Sequence, residues 1–165
     1  MIAFVVYGQP RGKGSYQVRA TKDGHGRAHP TRRDANWQTL VAMAAQEHAP
    51  AEGLLEGPVS VALRVYLAKP ASAPKRRPTW PVTRGALDAD KACRAVLDAL
   101  TGVVWTDDSA VVELHAFKAW ASDGRPRIEV EVDRPADYVQ WAAGLGVAQP
   151  RELPGLLKGV VADGR

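Results

Sequence analysis

The chain has 165 residues, 45% of them hydrophobic, which is enough for one domain with its own core and too few for two. A single cysteine, Cys93, excludes a disulfide framework and a cysteine-based zinc site. No stretch reaches the roughly 18 apolar residues of a membrane span, and Ile2–Tyr7 is too short for a signal-peptide core, so the expectation is a cytoplasmic protein with no membrane contact. The formal charge of +4 favours an anionic partner.

In chain order, Ile2–Tyr7 is rich in β-branched and aromatic residues and stops at Gly8-Gln9-Pro10, the pattern of a strand running into a loop. Residues 8–30 are basic and punctuated by glycines at 8, 12, 14, 24 and 26. They predict a long loop without structure of its own, one that orders on a ligand. Thr31 and Asp34 resemble a capping signal, and Trp37, Leu40, Val41, Ala44, Ala45 and His48 recur at helical spacing, which predicts a helix over 32–48. Val59–Leu67 alternates apolar and other residues with period 2, as a strand with one covered face does.

Prolines at 70, 74, 78 and 81 make 70–81 an exposed loop. Cys93, Val96, Leu97 and Leu100 stand at i, i+3, i+4 and i+7 of a second helix, with Asp90 placed to cap its start and Gly102 to end it. Residues 110–120 and 127–133 read as two strands joined through Asp123-Gly124, a β-hairpin. The order β-α-β-α-β-β predicts an α+β fold, one mixed sheet with helices packed against it. A domain of residues 1–135 is expected to be followed by a short helix and tail over 136–165.

Charge is segregated. Between Pro10 and Arg33 stand Arg11, Lys13, Arg19, Lys22, Arg27, Arg32 and Arg33 against one acid, Asp23; from Lys69 to Arg84 stand Lys69, Lys75, Arg76, Arg77 and Arg84 with none. A charge run is most often a solvated loop. Two such runs framing a carboxylate cluster are what a nuclease requires, since the phosphate backbone needs cations for affinity and a metal site needs anions.

The carboxylates are Asp88 and Asp90 before the second helix and Asp107 and Asp108 beyond it. If the segment enters extended, Asp88 and Asp90 project from one side and can share a hard cation such as Mg²⁺. Of the adjacent pair, one reaches the metal and the other satisfies loop amides. Read singly, Asp90 is an N-cap, Asp88 a favourable charge at a helix dipole and Asp107-Asp108 a polar turn. Lys91 and Arg94 share one helix face near these acids, either balancing them or stabilising charge on a scissile phosphate. Lys118 sits on a strand among apolar neighbours and leans toward the acids. Trp105 and Trp80 lie near the same place, Trp105 as packing under the loop, either one also able to stack on an unpaired base.

The ordered run Asp88-Ala89-Asp90, Val96-Leu97-Asp98-Ala99-Leu100-Thr101-Gly102, Asp107-Asp108-Ser109-Ala110-Val111-Val112 and Lys118 resembles the RusA family of Holliday junction resolvases of phages and prophages. The likeness extends more weakly to the N-terminal strand, the loop from Gly8 to Lys13 and Val59–Leu67. It implies Mg²⁺ on Asp88, Asp90 and Asp108, with Mn²⁺ able to stand in, and a homodimer making paired cuts in a four-way DNA junction. Where the family usually has proline, asparagine and lysine, this chain has Leu87, Lys91 and Arg94. Arginine is a planar fork that holds its proton, lysine a compact mobile ammonium, and Lys91 lies one turn before Arg94. The resemblance makes Lys91, Arg94 and Lys118 the cations that stabilise the transition state, with Arg11, Lys13, Arg19, Arg32, Arg33, Arg76 and Arg77 holding the DNA backbones. Two other readings remain open on the residues: a junction-binding protein without catalysis, and a metal-dependent nuclease on flaps or other branched DNA.

Overall fold

The computed structural model describes residues 1–13, 17–20, 26–29, 32–74, 79–83 and 85–136. In chain order these form β1 (Ile2–Tyr7), β2 (Gln17–Ala20), β3 (Gly26–His29), α1 (Arg32–Gln46), β4 (Val59–Leu67), α2 (Ala89–Leu100), a 3₁₀ turn (Asp108–Ala110), β5 (Val111–Trp120) and β6 (Arg127–Asp133). The expected strands and helices are present within two residues at each end, and the fold is α+β with a four-stranded mixed sheet. The expected C-terminal helix and tail, apart from Ala136, lie outside the described residues, as does Thr31 of the capping signal.

The period-2 pattern decides which side of the sheet is covered. Ile2, Phe4 and Val6 of β1, Val61, Leu63 and Val65 of β4, and Ile128, Val130 and Val132 of β6 are all buried and lie in cross-strand register, Phe4 and Leu63 both opposite Val130. Trp37, Val41 and Ala45 of α1 and Cys93, Val96 and Leu100 of α2 close that face. The opposite face carries the alternate residues, and there Arg64 bridges Glu129 and Glu131 at 3.5 and 2.8 Å. Trp105 is fully buried in the core, in keeping with its expected packing role.

Strand order is β1-β6-β4-β5, with β4 antiparallel to β6 and parallel to β5. The predicted β5–β6 hairpin is therefore overturned, because β4 lies between the two strands. The Ala121 amide donates to the Leu67 carbonyl at 2.8 Å, so the link passes the end of β4. It spans two strand spacings, about 10 Å, well within the reach of six residues. Asp123 and Gly124 still make a turn: Asp123 Oδ1 accepts from the Arg125 amide at 3.0 Å, and Gly124 has φ +71°. That turn hops over a strand instead of pairing its two flanks. β4, as the most continuously buried strand, takes the interior position, and β4-α2-β5 becomes a parallel crossover unit.

The expectation of a structureless connection over 8–30 is also corrected. β2 and β3 pair antiparallel within it, Gln17 opposite His29 through Ala20 opposite Gly26. Strands this short, without an apolar alternation, carry little of the hydrophobic signal that marked the other four.

Candidate active site

At the start of helix α2, Asp88 has extended backbone (φ −71°, ψ 139°) and is the N-cap. Asp90 lies inside the first turn and is not the cap, which corrects the capping expectation. With Ala89 and Asp90 already helical, the extended same-side geometry does not apply, since residues two apart on a helix do not face one another. Asp88 instead pairs with Lys91 one turn on, Nζ to Oδ2 2.6 Å, and its side chain makes no capping hydrogen bond.

That ion pair sets the local electrostatics. The Lys91 ammonium, by hydrogen bond and by charge, holds the Asp88 carboxyl below its ordinary range, with Lys118 adding to the effect. Asp88 in turn raises Lys91, and Asp90 raises it further. Cys93, one turn beyond Asp90, has its thiol pushed up first by burial and then by the Asp90 charge, so it is a core residue and no nucleophile.

Lys118 arrives from β5. Its register partner Val65 points to the helix-covered face, and Lys118 follows, donating from Nζ to the Leu87 carbonyl at 2.8 Å. The ammonium thus stands beside the residue that precedes Asp88. From the far end of α2, Gly102 (φ +77°) turns the chain back toward the 3₁₀ turn, which packs against α2. Asp107 caps that turn: Oδ1 accepts from the Ser109 amide at 2.9 Å, and the Ser109 contacts lower its pKa. Asp108 is the exposed first residue of the turn. Of the division of labour expected between the adjacent aspartates, one to the metal and one to loop amides, Asp107 takes the loop-amide part. Asp90 and Asp108 make no side-chain hydrogen bond or ion pair among the described residues.

Sequence reasoning missed what the first loop does. Gly12 lies against the start of α2 so closely that a Cβ there would stand 2.7 Å from both Leu87 Cδ1 and Lys91 Cβ. The Lys13 amide donates to the Lys91 carbonyl at 3.0 Å, and Lys13 Nζ meets Asp98 Oδ2 at 2.5 Å, where Gln38 also approaches at 3.4 Å. Lys13, expected on DNA, is engaged with α2. The signal for this was a glycine between two cations, readable as ordinary loop punctuation. Of the other expected DNA contacts, Arg11 and Arg33 are exposed, Arg94 lies on the exposed side of α2, and Arg19 and Arg32 are placed by backbone in β2 and at the start of α1. Arg76 and Arg77 lie outside the described residues.

The oxygen donors Asp88, Asp90 and Asp108 are the type a hard divalent cation takes, and all three are exposed. Among the described residues no three His, Cys, Asp or Glu side chains already form a metal-holding group. In this arrangement Lys91 occupies the Asp88 carboxylate.

A sheet with a parallel crossover, acids near both ends of the crossover helix and a lysine leaning in from the next strand frame the candidate site, and the comparisons give the family. The model of the family described as endodeoxyribonuclease RusA matches residues 8–133. The chain belongs to the RusA family, endodeoxyribonucleases that act on branched DNA junctions. It is also 30% identical over 138 residues to the uncharacterized protein YqaN of Bacillus subtilis (strain 168), a match covering 79% of this chain and 94% of YqaN. No helix among the described residues is long and apolar enough to cross a membrane.

Proposed function

We propose that this endodeoxyribonuclease resolves four-way junctions by Mg²⁺-dependent hydrolysis of two opposed phosphodiesters, acting as a homodimer. The observation that carries the reading is the junction of α2, the 3₁₀ turn and β5, where Asp88, Asp90, Asp108, Lys91 and Lys118 come from elements packed on one another. Asp88, Asp90 and Asp108 would hold the ion. The chemistry that a bound Mg²⁺ supplies is polarisation of the phosphate and a water of lowered pKa, with Mn²⁺ a workable substitute.

The rest belongs to the chain. A cation drawing on both Asp88 oxygens would displace Lys91 from Oδ2 and free its ammonium for a phosphate oxygen, while a cation on Oδ1 alone would keep Lys91 beside the ion. Lys118, fixed by the Leu87 carbonyl, delivers positive charge beside the same carboxylates, and Arg94 adds a guanidinium from the exposed side of α2. Together they oppose the charge that builds on phosphorus in the transition state. Lys13 supports the arrangement through Asp98, and Arg11 and Arg33 contact backbones without reading sequence. A four-way junction is close to two-fold symmetric, so a C2 dimer with two identical sites matches it.

Labelled four-way junction, flap and linear duplex of equal length, incubated with the protein and Mg²⁺, test the substrate; sedimentation tests the dimer. Paired nicks confined to the junction and a species of twice the chain mass are expected. Cuts mainly in the flap would move the assignment to another branched substrate, and tight junction binding without cuts in Mg²⁺ or Mn²⁺ would make this a binding protein.

A further inference from the structure

The candidate site aspartates stand on the helix side of the sheet, and the other face, beside the Arg64 ion pairs with Glu129 and Glu131, holds an aromatic corner that the reading above leaves unused. Phe117 precedes Lys118 on β5 and so points to the opposite side of the sheet, with its register partner Arg64. Tyr66 meets the Phe117 ring edge-on, centroids 6.4 Å apart at 68°, and Trp80 meets it at 5.8 Å and 89°. Leu87, seven residues after Trp80, is held on the helix side by Lys118. Trp80 and Leu87 thus lie on opposite faces of the sheet beside β5, which is an edge strand. Trp80 and Asp88 therefore stand on opposite sides of the sheet beside the same edge strand.

Trp80 is 55% exposed and Phe117 37%, a large apolar surface to leave in water. The sequence that carries it is cationic, with five Lys or Arg and no acid from Lys69 to Arg84. Beyond Tyr66 the patch is bounded by Arg127, which stacks on the ring at 4.1 Å and pairs with Asp123 and Glu129. Two edge-type contacts hold Phe117, and the exposed Trp80 keeps indole surface free for a partner with a flat π-face.

We propose that Trp80, braced by Phe117, is a base-stacking residue that takes an unstacked nucleobase from the branch point of the DNA substrate. This rests on the junction-nuclease reading. Bases at a branch are cheaper to unstack than bases inside a duplex, so such a residue favours branched over linear DNA without reading sequence.

The test uses the full-length protein, its Trp80→Ala and Trp80→Phe variants, and four-way junctions carrying 2-aminopurine at the branch, beside a linear duplex and a single-stranded oligonucleotide, all in EDTA so that no strand is cut. Thermal melts monitored by circular dichroism establish that each variant is folded. The expected result is a roughly 5- to 100-fold loss of junction and single-strand affinity in Trp80→Ala, unchanged duplex affinity, and substantial recovery in Trp80→Phe. The 2-aminopurine signal should change on binding to wild type and not on binding to Trp80→Ala. Equal affinities and equal signals for wild type and Trp80→Ala would overturn the stacking role while leaving the nuclease reading intact. A wild type that binds junction no better than linear duplex would overturn both.

Discussion

Asp88 is the residue at which folding and chemistry meet. As N-cap it starts α2, and as partner of Lys91 it stays ionised in acid that would protonate an isolated carboxyl. A depressed folded pKa means that the pair's contribution is present above the unfolded carboxylate value, near 4, and is lost as pH falls through the lower folded value; at neutral pH it is constant. In Lys91→Met the Asp88 midpoint should move upward toward that ordinary value, followed by the side-chain carboxyl resonance in an NMR titration. A midpoint unchanged by the substitution would mean that Lys91 is not the cause. Gly12 makes a second prediction at this scale. A methyl group placed 2.7 Å from Lys91 Cβ and Leu87 Cδ1 must push the loop off α2, so Gly12→Ala should cost about 1–3 kcal/mol in denaturant unfolding. It should also lower cleavage, because Leu87 and Lys91 adjoin Asp88. The residues themselves were legible beforehand, since aspartates and lysines announce their chemistry by type. Their partners were not: the Lys13 to Asp98 contact joins positions far apart in sequence, and no local pattern points to it.

At the scale of elements, what the sequence makes visible is periodicity. β6 alternates strictly and β4 over most of its length because one face of each is buried, β1 shows as a run of β-branched and aromatic residues, and α2 shows its apolar stripe because the other side meets water. Pairing is a different matter. Two strands joined by six residues with Asp-Gly in them look like a hairpin, yet nothing local records that β4 has inserted between them. The same is true of β2 and β3, whose four-residue strands lack an apolar face to advertise. The consequence for stability is specific. Leu63 is the buried residue of the central strand opposite Val130, and it faces both helices' layer. Leu63→Ala should cost about 2–5 kcal/mol in urea or guanidinium unfolding, with no change in the slope against denaturant. A loss under 1 kcal/mol would show that β4 is not the core strand described.

For the molecule as a whole, the sheet divides the labour between its two faces and one edge. Helices cover the face that carries Lys118, ion pairs satisfy the other, and β5, through Lys118 and Phe117, has the site acids and cations on one side and an exposed tryptophan on the other. A net charge of +4 suits long-range attraction to DNA, while the local acids keep that attraction from being uniform. The central claim is that these acids cut a branched DNA through a divalent ion. It is tested most directly by incubating the protein with a labelled four-way junction in Mg²⁺ or in EDTA, beside Asp90→Asn. The account predicts paired nicks that vanish both with EDTA and in the variant, with junction binding retained. Cleavage that persists in EDTA or in Asp90→Asn would contradict it.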